Sequence, residues 1–208
     1  MPKWFITGTD TGAGKTYVSC LILKALAAEG HTAAGFKPLC CGDREDAELL
    51  LAAGNAPLSL DEVNPLWLRA PVAPYTAALL ENRPIDVSTL LTHYQDLATR
   101  FDNLIVEGVG GWAVPIRADY AVADLAADLQ LPVLIVVRNR LGALNHTLLT
   151  VEAVRGRGLT CRGLVLNTIE DEMDCGMITN ASILEDLTGL PVLANVIHGQ
   201  TEIDIDFG

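Results

Sequence analysis

The sequence predicts an α/β fold: a mostly parallel sheet held between two layers of helices. Three observations carry that expectation. Short apolar runs rich in Val, Ile and Leu alternate with helical segments along the chain, the order of βαβ units joined by right-handed crossovers. The runs are continuously apolar, as strands are when helices cover both of their faces. The first of them leads without a linker into a glycine-rich segment, Gly8-Thr9-Asp10-Thr11-Gly12-Ala13-Gly14-Lys15-Thr16, and a helix follows. In sheets of this kind ligands bind beyond the C-terminal ends of the strands, so the residues just past each strand bear most of the functional reading.

The first strand is expected over Lys3 to Thr7. Val18, Leu21, Ile22, Ala25 and Leu26 then recur at the helical period, in a helix that begins at Lys15 and stops at Gly30. A second strand is expected over Thr32 to Phe36, then a helix over residues 44–53 closed by Gly54. Residues 55–76 contain Pro57, Pro65, Pro71 and Pro74 and read as the irregular part of the fold. Asp86 opens a helix whose apolar face is Val87, Leu90, Leu91, Tyr94, Leu97 and Phe101. Further strands are expected at Asn103–Val106, Val133–Val137, Gly163–Asn167 and Val192–Val196, with helices over 120–130, 143–156 and 178–188. No repeat, low-complexity stretch or linker interrupts the pattern, so residues 1–208 read as one domain.

Composition narrows the function classes. Half of the residues are hydrophobic, yet no apolar run approaches the ~20 residues of a membrane span, and the N-terminus lacks the pattern of a secretory signal. The cysteines at positions 20, 40, 41, 161 and 175 are odd in number and lack metal-type spacing, which reads as reduced thiols in a cytoplasm. A net charge of −12 argues against a nucleic-acid partner, because phosphate contacts need clustered Lys and Arg. His31, His93, His146 and His198 share no ligand spacing. The run Glu170-Asp171-Glu172 reads as a solvated loop, and no nucleophile-elbow pattern is present.

The glycine segment is a phosphate-binding loop. Strand, glycine turn and helix together present several backbone N–H groups and a helix N-terminus to one anion. Lys15 is placed to reach the outer phosphates of a nucleotide, and the Thr16 hydroxyl to ligate Mg²⁺. The generic pattern wants a glycine at position 9, where Thr stands with Gly8 one place earlier. An acidic chain that binds ATP must gather its cations locally, and Lys15, Lys37 and the Arg138–Arg140 pair are candidates.

The other strand ends add to this. Lys37 follows the second strand and is held extended by Pro38; it is either a solvated edge charge or a second cation over the crevice of Lys15. Asp46 lies in the first turn of a helix, where a carboxylate is favourable for its own sake. Glu107, then Gly108, Val109, Gly110 and Gly111, follows a buried strand at the place where P-loop enzymes carry the acid that completes the Mg²⁺ shell. Thr16, Asp46 and Glu107 together would give an oxygen set suited to Mg²⁺. Arg138 to His146 can be read as a carboxylate-binding loop before a helix, or as a basic loop with a cap. Asn167 ends its strand with an amide able to read a purine edge, though Asn is also common in turns.

These pieces resemble the dethiobiotin synthetase family over nearly the whole chain. The resemblance rests on Gly-Thr-Asp-Thr-x-x-Gly-Lys-Thr at 8–16, Gly-Phe-Lys-Pro at 35–38, Asn-Arg-Pro-Ile at 82–85, Glu-Gly-x-Gly-Gly-Trp at 107–112, Leu-Gly-x-x-Asn-His at 141–146 and the strand ending at Asn167. It implies a three-layer P-loop NTPase fold in a homodimer that converts 7,8-diaminopelargonate, CO₂ and MgATP into dethiobiotin, ADP and phosphate. It implies that ATP lies against Gly12, Ala13, Gly14, Lys15, Thr16, Tyr17, Asp46, Glu107, Gly108, Val109, Gly110 and Asn167, the last at the adenine. Lys37, Lys15 and Thr11 are implied as the catalytic groups. Substrate would meet Thr11, Lys37 and Cys41, with Arg140, Leu141, Gly142 and Asn145 reaching its carboxylate from the partner subunit.

This sequence departs from the family pattern at identifiable places. Gly12 stands where well-known members carry Glu, Cys41 where a substrate-contacting Ser is familiar, and Asn195-Val196-Ile197-His198 where an Ile-Pro-Trp type stretch borders adenine. The segment between Lys37 and Asp46 is short. Other classes share the loop. Amide-forming ligases of the cobyrinic-acid type usually add a glutaminase domain, for which 208 residues leave no room. Partitioning ATPases carry a signature Lys four residues before the loop glycine, where Asp10 stands here. A P-loop ATPase paralogue with a regulatory or other ligase role remains the alternative.

Overall fold

The computed structural model describes residues 2–170 and 175–207. In chain order the first half contains β1 (Lys3–Gly8), α1 (Lys15–Ala28), β2 (Ala33–Phe36), β3 (Leu39–Cys41), α2 (Glu45–Ala53), α3 (Leu60–Val63), β4 (Leu66–Leu68), α4 (Pro74–Leu80) and α5 (Val87–Arg100). The second half contains β5 (Asn103–Glu107), β6 (Pro115–Arg117), β7 (Tyr120–Ala121), α6 (Val122–Leu129), β8 (Val133–Arg138), α7 (Ala143–Gly156), β9 (Cys161–Thr168), α8 (Cys175–Thr188) and β10 (Val192–Ile197).

Six strands pair in the order β10-β9-β8-β1-β5-β2, and every pairing among them is parallel. The chain leaves β1 towards β2 and β5 on one side and later fills β8, β9 and β10 on the other. The strand order therefore reverses at β1, and a crevice opens at its C-terminal end. Successive strand residues face opposite layers. Phe5, Phe36, Val106, Ile135 and Leu166 pack with Leu97, Leu125, Val151 and Leu184 of α5 to α8. Trp4, Ile6, Ile105, Val136 and Val165 pack with Val18, Ile22, Ala47 and Leu50 of α1 and α2. The C-terminal segment completes that second layer: Ile203 and Ile205 are buried in it, and the Phe207 ring lies 5.8 Å from that of Trp4.

The expected α/β architecture is present, and Asp86 opens α5 by accepting the Ser88 N–H at 2.9 Å. The proline-rich stretch holds more order than the sequence suggests. Ser59 and Glu62 form a reciprocal capping box on α3, Pro74 starts α4 at a position where it forfeits no helical bond, and β4 pairs in parallel with β3. Elements of three or four residues are too short for a period to reveal. The hairpin β6–β7 was hidden for the same reason, and α8 begins at Cys175, ahead of the expected 178. Of the acidic run, Asp171 and Glu172 lie outside the described residues, while Glu170 is paired with Arg138.

Candidate active site

The segment from Thr9 to Gly14 joins the centre of the sheet to α1. Gly14 is the residue preceding α1, at φ +86° and without a side-chain cap, so the first N–H groups of the helix are left to an external anion. Only glycine fits there. A Cβ on Gly14 would lie 2.0 Å from Nδ2 of Asn167, which donates to the Ala13 carbonyl at 2.9 Å. Gly12 also has a left-handed backbone, φ +75°, but nothing stands within 4 Å of the position of its Cβ; it faces open cleft.

Strand register assembles the charged groups. Phe36 is aligned with Val106 and Ile6 with Glu107, so Lys37, one residue past β2, arrives beside Glu107 at the end of β5. Its Nζ lies 2.5 Å from Glu107 Oε1 and 2.7 Å from Asp46 Oδ2, with the Gly108 carbonyl at 3.4 Å. Burial alone would lower the Lys37 pKa, but the charges of Glu107 and Asp46 outweigh it and hold the ammonium above its ordinary 10.5. Burial would likewise raise Asp46, and the Lys37 charge and hydrogen bond overcome it to leave that carboxyl below its ordinary 3.8. Lys15, buried and aimed at the same crevice, is drawn below 10.5 by desolvation and then by the Lys37 charge.

The oxygen geometry suits a small divalent cation. Thr16 Oγ1 lies 2.8 Å from both Asp46 Oδ1 and Glu107 Oε1. A hydroxyl has one proton, so one of these two oxygen pairs has none between its atoms, and Glu107 Oε2 is buried without any hydrogen-bond partner. Two carboxylates and a hydroxyl in contact, with spare lone pairs, fit Mg²⁺, which takes one or two carboxylates and completes its octahedron with water and phosphate oxygens. No cluster of three or more His, Cys, Asp or Glu suited to a metal occurs among the described residues, so an all-protein cage is not what these residues build.

A cleft of about 680 Å³ opens over this cluster. Of the residues expected from the sequence, Thr11, Gly12, Gly14, Lys15, Thr16, Lys37, Cys41, Asp46, Val109 and Gly110 line it. Ala13, Glu107 and Asn167 are buried just behind, and the Gly108 carbonyl faces Lys37. Tyr17 points away, its hydroxyl donating to the Gln200 carbonyl of the C-terminal segment. Asn167 spends an amide hydrogen on the loop, a bracing role that the sequence did not suggest. Pro71, Val72, Ala73, Pro74 and Val114 supply an apolar wall that was missed; the prolines flanking Val72 and Ala73 were the available signal. The Cys41 thiol on that side is pushed up to about 11 by burial and by the Glu81 charge, so it is neutral.

Arg140, Leu141, Gly142 and Asn145 do not line this cleft. They sit at the start of α7, with Gly142 preceding the helix at φ +90° and Leu141 82% exposed. Arg138, grouped with the cations on sequence grounds, is paired with Glu170.

Comparison with known proteins identifies the fold and the family. A family model described as an AAA domain matches residues 3–199. The chain is 50% identical over 206 residues to the ATP-dependent dethiobiotin synthetase BioD of Akkermansia muciniphila, covering 99% of this chain and 97% of that protein. It is 40% identical over 199 residues to the protein of the same name from Bacillus licheniformis, covering 93% and 84%. Among solved structures, the septum site-determining protein MinD of Pyrococcus horikoshii, complexed with Mg-ADP, superposes with a TM-score of 0.62 at 16% identity, covering 95% and 82%. A ParA family ATPase from Chlorobium tepidum gives 0.57 at 13% identity, covering 95% and 84%. The distant structures establish a P-loop NTPase fold, and the near relatives go further: this chain belongs to the dethiobiotin synthetase family.

Proposed function

We propose that this cleft carries out the ATP-dependent closure of the ureido ring of dethiobiotin from 7,8-diaminopelargonate and CO₂. One amine of the substrate captures CO₂ as a carbamate and releases a proton. A carbamate oxygen attacks the γ-phosphorus of ATP, and ADP departs. The second amine then attacks the carbonyl carbon of the mixed anhydride, and phosphate leaves as the ring closes. Each step asks the protein to hold anions together and to position neighbours.

Lys37 and Lys15 offset the charge of the carbamate and of the transferring phosphoryl group. Thr11 meets the diamine or carbamate, Cys41 and the apolar wall take the carbon chain, and Asn167 approaches the adenine from the β9 side. Thr16, Asp46 and Glu107 would hold Mg²⁺, which would supply charge neutralisation to the transferring phosphoryl group. Arg140, Leu141, Gly142 and Asn145 are assigned to the substrate carboxylate of a neighbouring subunit in a homodimer. The exposure of Leu141 and Leu149, 82% and 58%, on and before one helix supports that assignment. The free thiols suit a reducing cytoplasm as the place of work.

One observation carries the reading: Lys37 is clamped between two carboxylates that also share the Thr16 hydroxyl of the phosphate loop. The test is phosphate release from MgATP and bicarbonate, with and without 7,8-diaminopelargonate, followed by mass detection of dethiobiotin. The expected result is release that depends on the diamine, with one dethiobiotin per phosphate. Release indifferent to the diamine would favour the paralogue that uses nucleotide for another purpose.

A further inference from the structure

Lys37 and Asp46 reach the phosphate loop from the ends of two short elements. Lys37 lies past the end of β2, and Asp46 lies in the first turn of the nine-residue α2. One side chain bonds the Lys37 backbone directly and, through Arg44, the start of the helix that carries Asp46. Asn64, the residue that closes α3, is 1% exposed. Its Nδ2 donates to the Lys37 carbonyl at 2.8 Å and to the Leu66 carbonyl at 3.0 Å. Its Oδ1 accepts from Arg44 Nε at 3.1 Å, while Arg44 Nη2 donates to the Asn64 backbone carbonyl at 2.8 Å.

Arg44 is the residue from which α2 starts, two positions before Asp46. Its guanidinium is held further by the Leu60 carbonyl at 3.3 Å and by Asp61 at 3.0 Å. The Lys37 N–H donates to the Val63 carbonyl at 2.8 Å, so the backbone of Lys37 is gripped from both sides by consecutive residues, 63 and 64. Pro38 has no N–H to add to that grip.

We propose that Asn64 is a positioning residue for phosphoryl transfer, fixing Lys37 through an amide hydrogen on its carbonyl and Asp46 through its amide oxygen and Arg44. The chemistry demands an amide. Only Asn or Gln offers two donors and an acceptor on one group, and Gln is one methylene too long for a buried site. Neither Asn64 nor Arg44 lines the cleft, so both act through the groups they hold. The inference rests on the roles proposed above for Lys37 and Asp46.

Two variants separate the halves of the device. Asn64→Asp keeps the oxygen facing Arg44 but sets a carboxylate against the Lys37 and Leu66 carbonyls, so it disturbs the Lys37 half. Its kcat is expected to fall about tenfold or more, as misplacement of a charged group by a fraction of an ångström does, with KM for ATP within about threefold. Arg44→Ala releases the start of α2 and disturbs the Asp46 half. The Mg²⁺ concentration for half-maximal rate is expected to rise about threefold or more, with kcat at saturating Mg²⁺ little changed.

Leu97→Ala, a core variant remote from the cleft, serves as the control for mere destabilisation, with all rates taken per folded molecule. The proposal is overturned if Asn64→Asp retains kcat within twofold, or if its kinetics match those of Leu97→Ala. Should Asn64→Asp fail to fold, Arg44→Ala decides, and an unmoved Mg²⁺ midpoint overturns the proposal. Lys37→Ala, measured alongside, keeps the two levels apart: near-normal activity there removes the role of Lys37 itself, whereas an inactive Lys37→Ala beside an unaffected Asn64→Asp removes only the positioning.

Discussion

Lys37→Met removes one charge and little volume, and its consequences can be worked out from the contacts. Lys37 is 2% exposed and bonds two carboxylates, one of them fully buried. Without the ammonium, Glu107 and Asp46 face one another with only the Thr16 proton between them. Breaking a buried ion pair by deleting one partner costs about 3–5 kcal/mol, and the half-exposed Asp46 places this case near 3. For a chain of this length each kcal/mol moves Tm by about 2–4 °C, so the ligand-free variant should melt about 6–12 °C below the parent in a calorimetric scan. Catalysis should suffer more. Loss of one group that stabilises developing charge costs about 10²–10³ in kcat, while ATP affinity stays within about tenfold, because the loop N–H groups and Lys15 are untouched. Added Mg²⁺ should raise the Tm of the variant more than that of the parent, because the two carboxylates no longer have Lys37 as a counter-ion. A rate loss below tenfold, or a Tm within 2 °C of the parent, would refute this account.

Three further outcomes are expected. Gly14→Ala places a Cβ 2.0 Å from Asn167 Nδ2 in a left-handed conformation; the backbone alone costs about 1–2 kcal/mol, and equilibrium dialysis should show ATP binding weakened by more than tenfold. Asp46 has a depressed pKa, so its contribution to stability is present above pH 3.8 and is lost as pH falls through the folded value. Lys37 has a raised pKa, so its contribution is intact below pH 10.5 and disappears only above it. Asp46→Asn should therefore flatten the acid limb of urea stability measured against pH while raising the Mg²⁺ requirement of the reaction. A chain ended at Gln200 loses Ile203 and Ile205 from the second layer and the Phe207 ring from Trp4; at about 1.5–3 kcal/mol for each isoleucine, urea unfolding should report a loss of about 3–6 kcal/mol.

Much of the site was legible because its parts sit where the pattern of strand and helix says ligand groups must sit. Gly14, Lys15 and Thr16 follow β1, Lys37 follows β2 and Glu107 ends β5, each at the end of a continuous apolar run that any reading finds. Asp46 was harder, since a carboxylate in a first helical turn has its own local justification; only the contact with Thr16 and Lys37 distinguishes it. The apolar wall at Pro71 to Pro74 and the clamp at Asn64 lay in the segment taken as irregular. Their order comes from a capping box, a three-residue strand pair and side-chain bonds to distant carbonyls, none of which leaves a periodic trace. Asn167 is singled out in the sequence for one reason, and the structure adds a second. Its place at a strand end pointed to the base, while its distance from the Ala13 carbonyl is a tertiary fact that spacing along the chain does not encode.

Gly14 and Asn167 form a matched pair, like a notch and the peg that fills it. The absent Cβ of one makes room for the amide of the other, and their hydrogen-bonded segments are 154 residues apart in the chain. Neither position can change without regard to its mate. A smaller residue at 167 vacates the notch and leaves the loop carbonyl unanswered, and a larger one at 14 drives the peg out. Substitutions at the two positions should be strongly non-additive. A mutational library that randomises the phosphate loop alone will thus explore a landscape already narrowed by a residue outside its boundaries, and should vary position 167 with it.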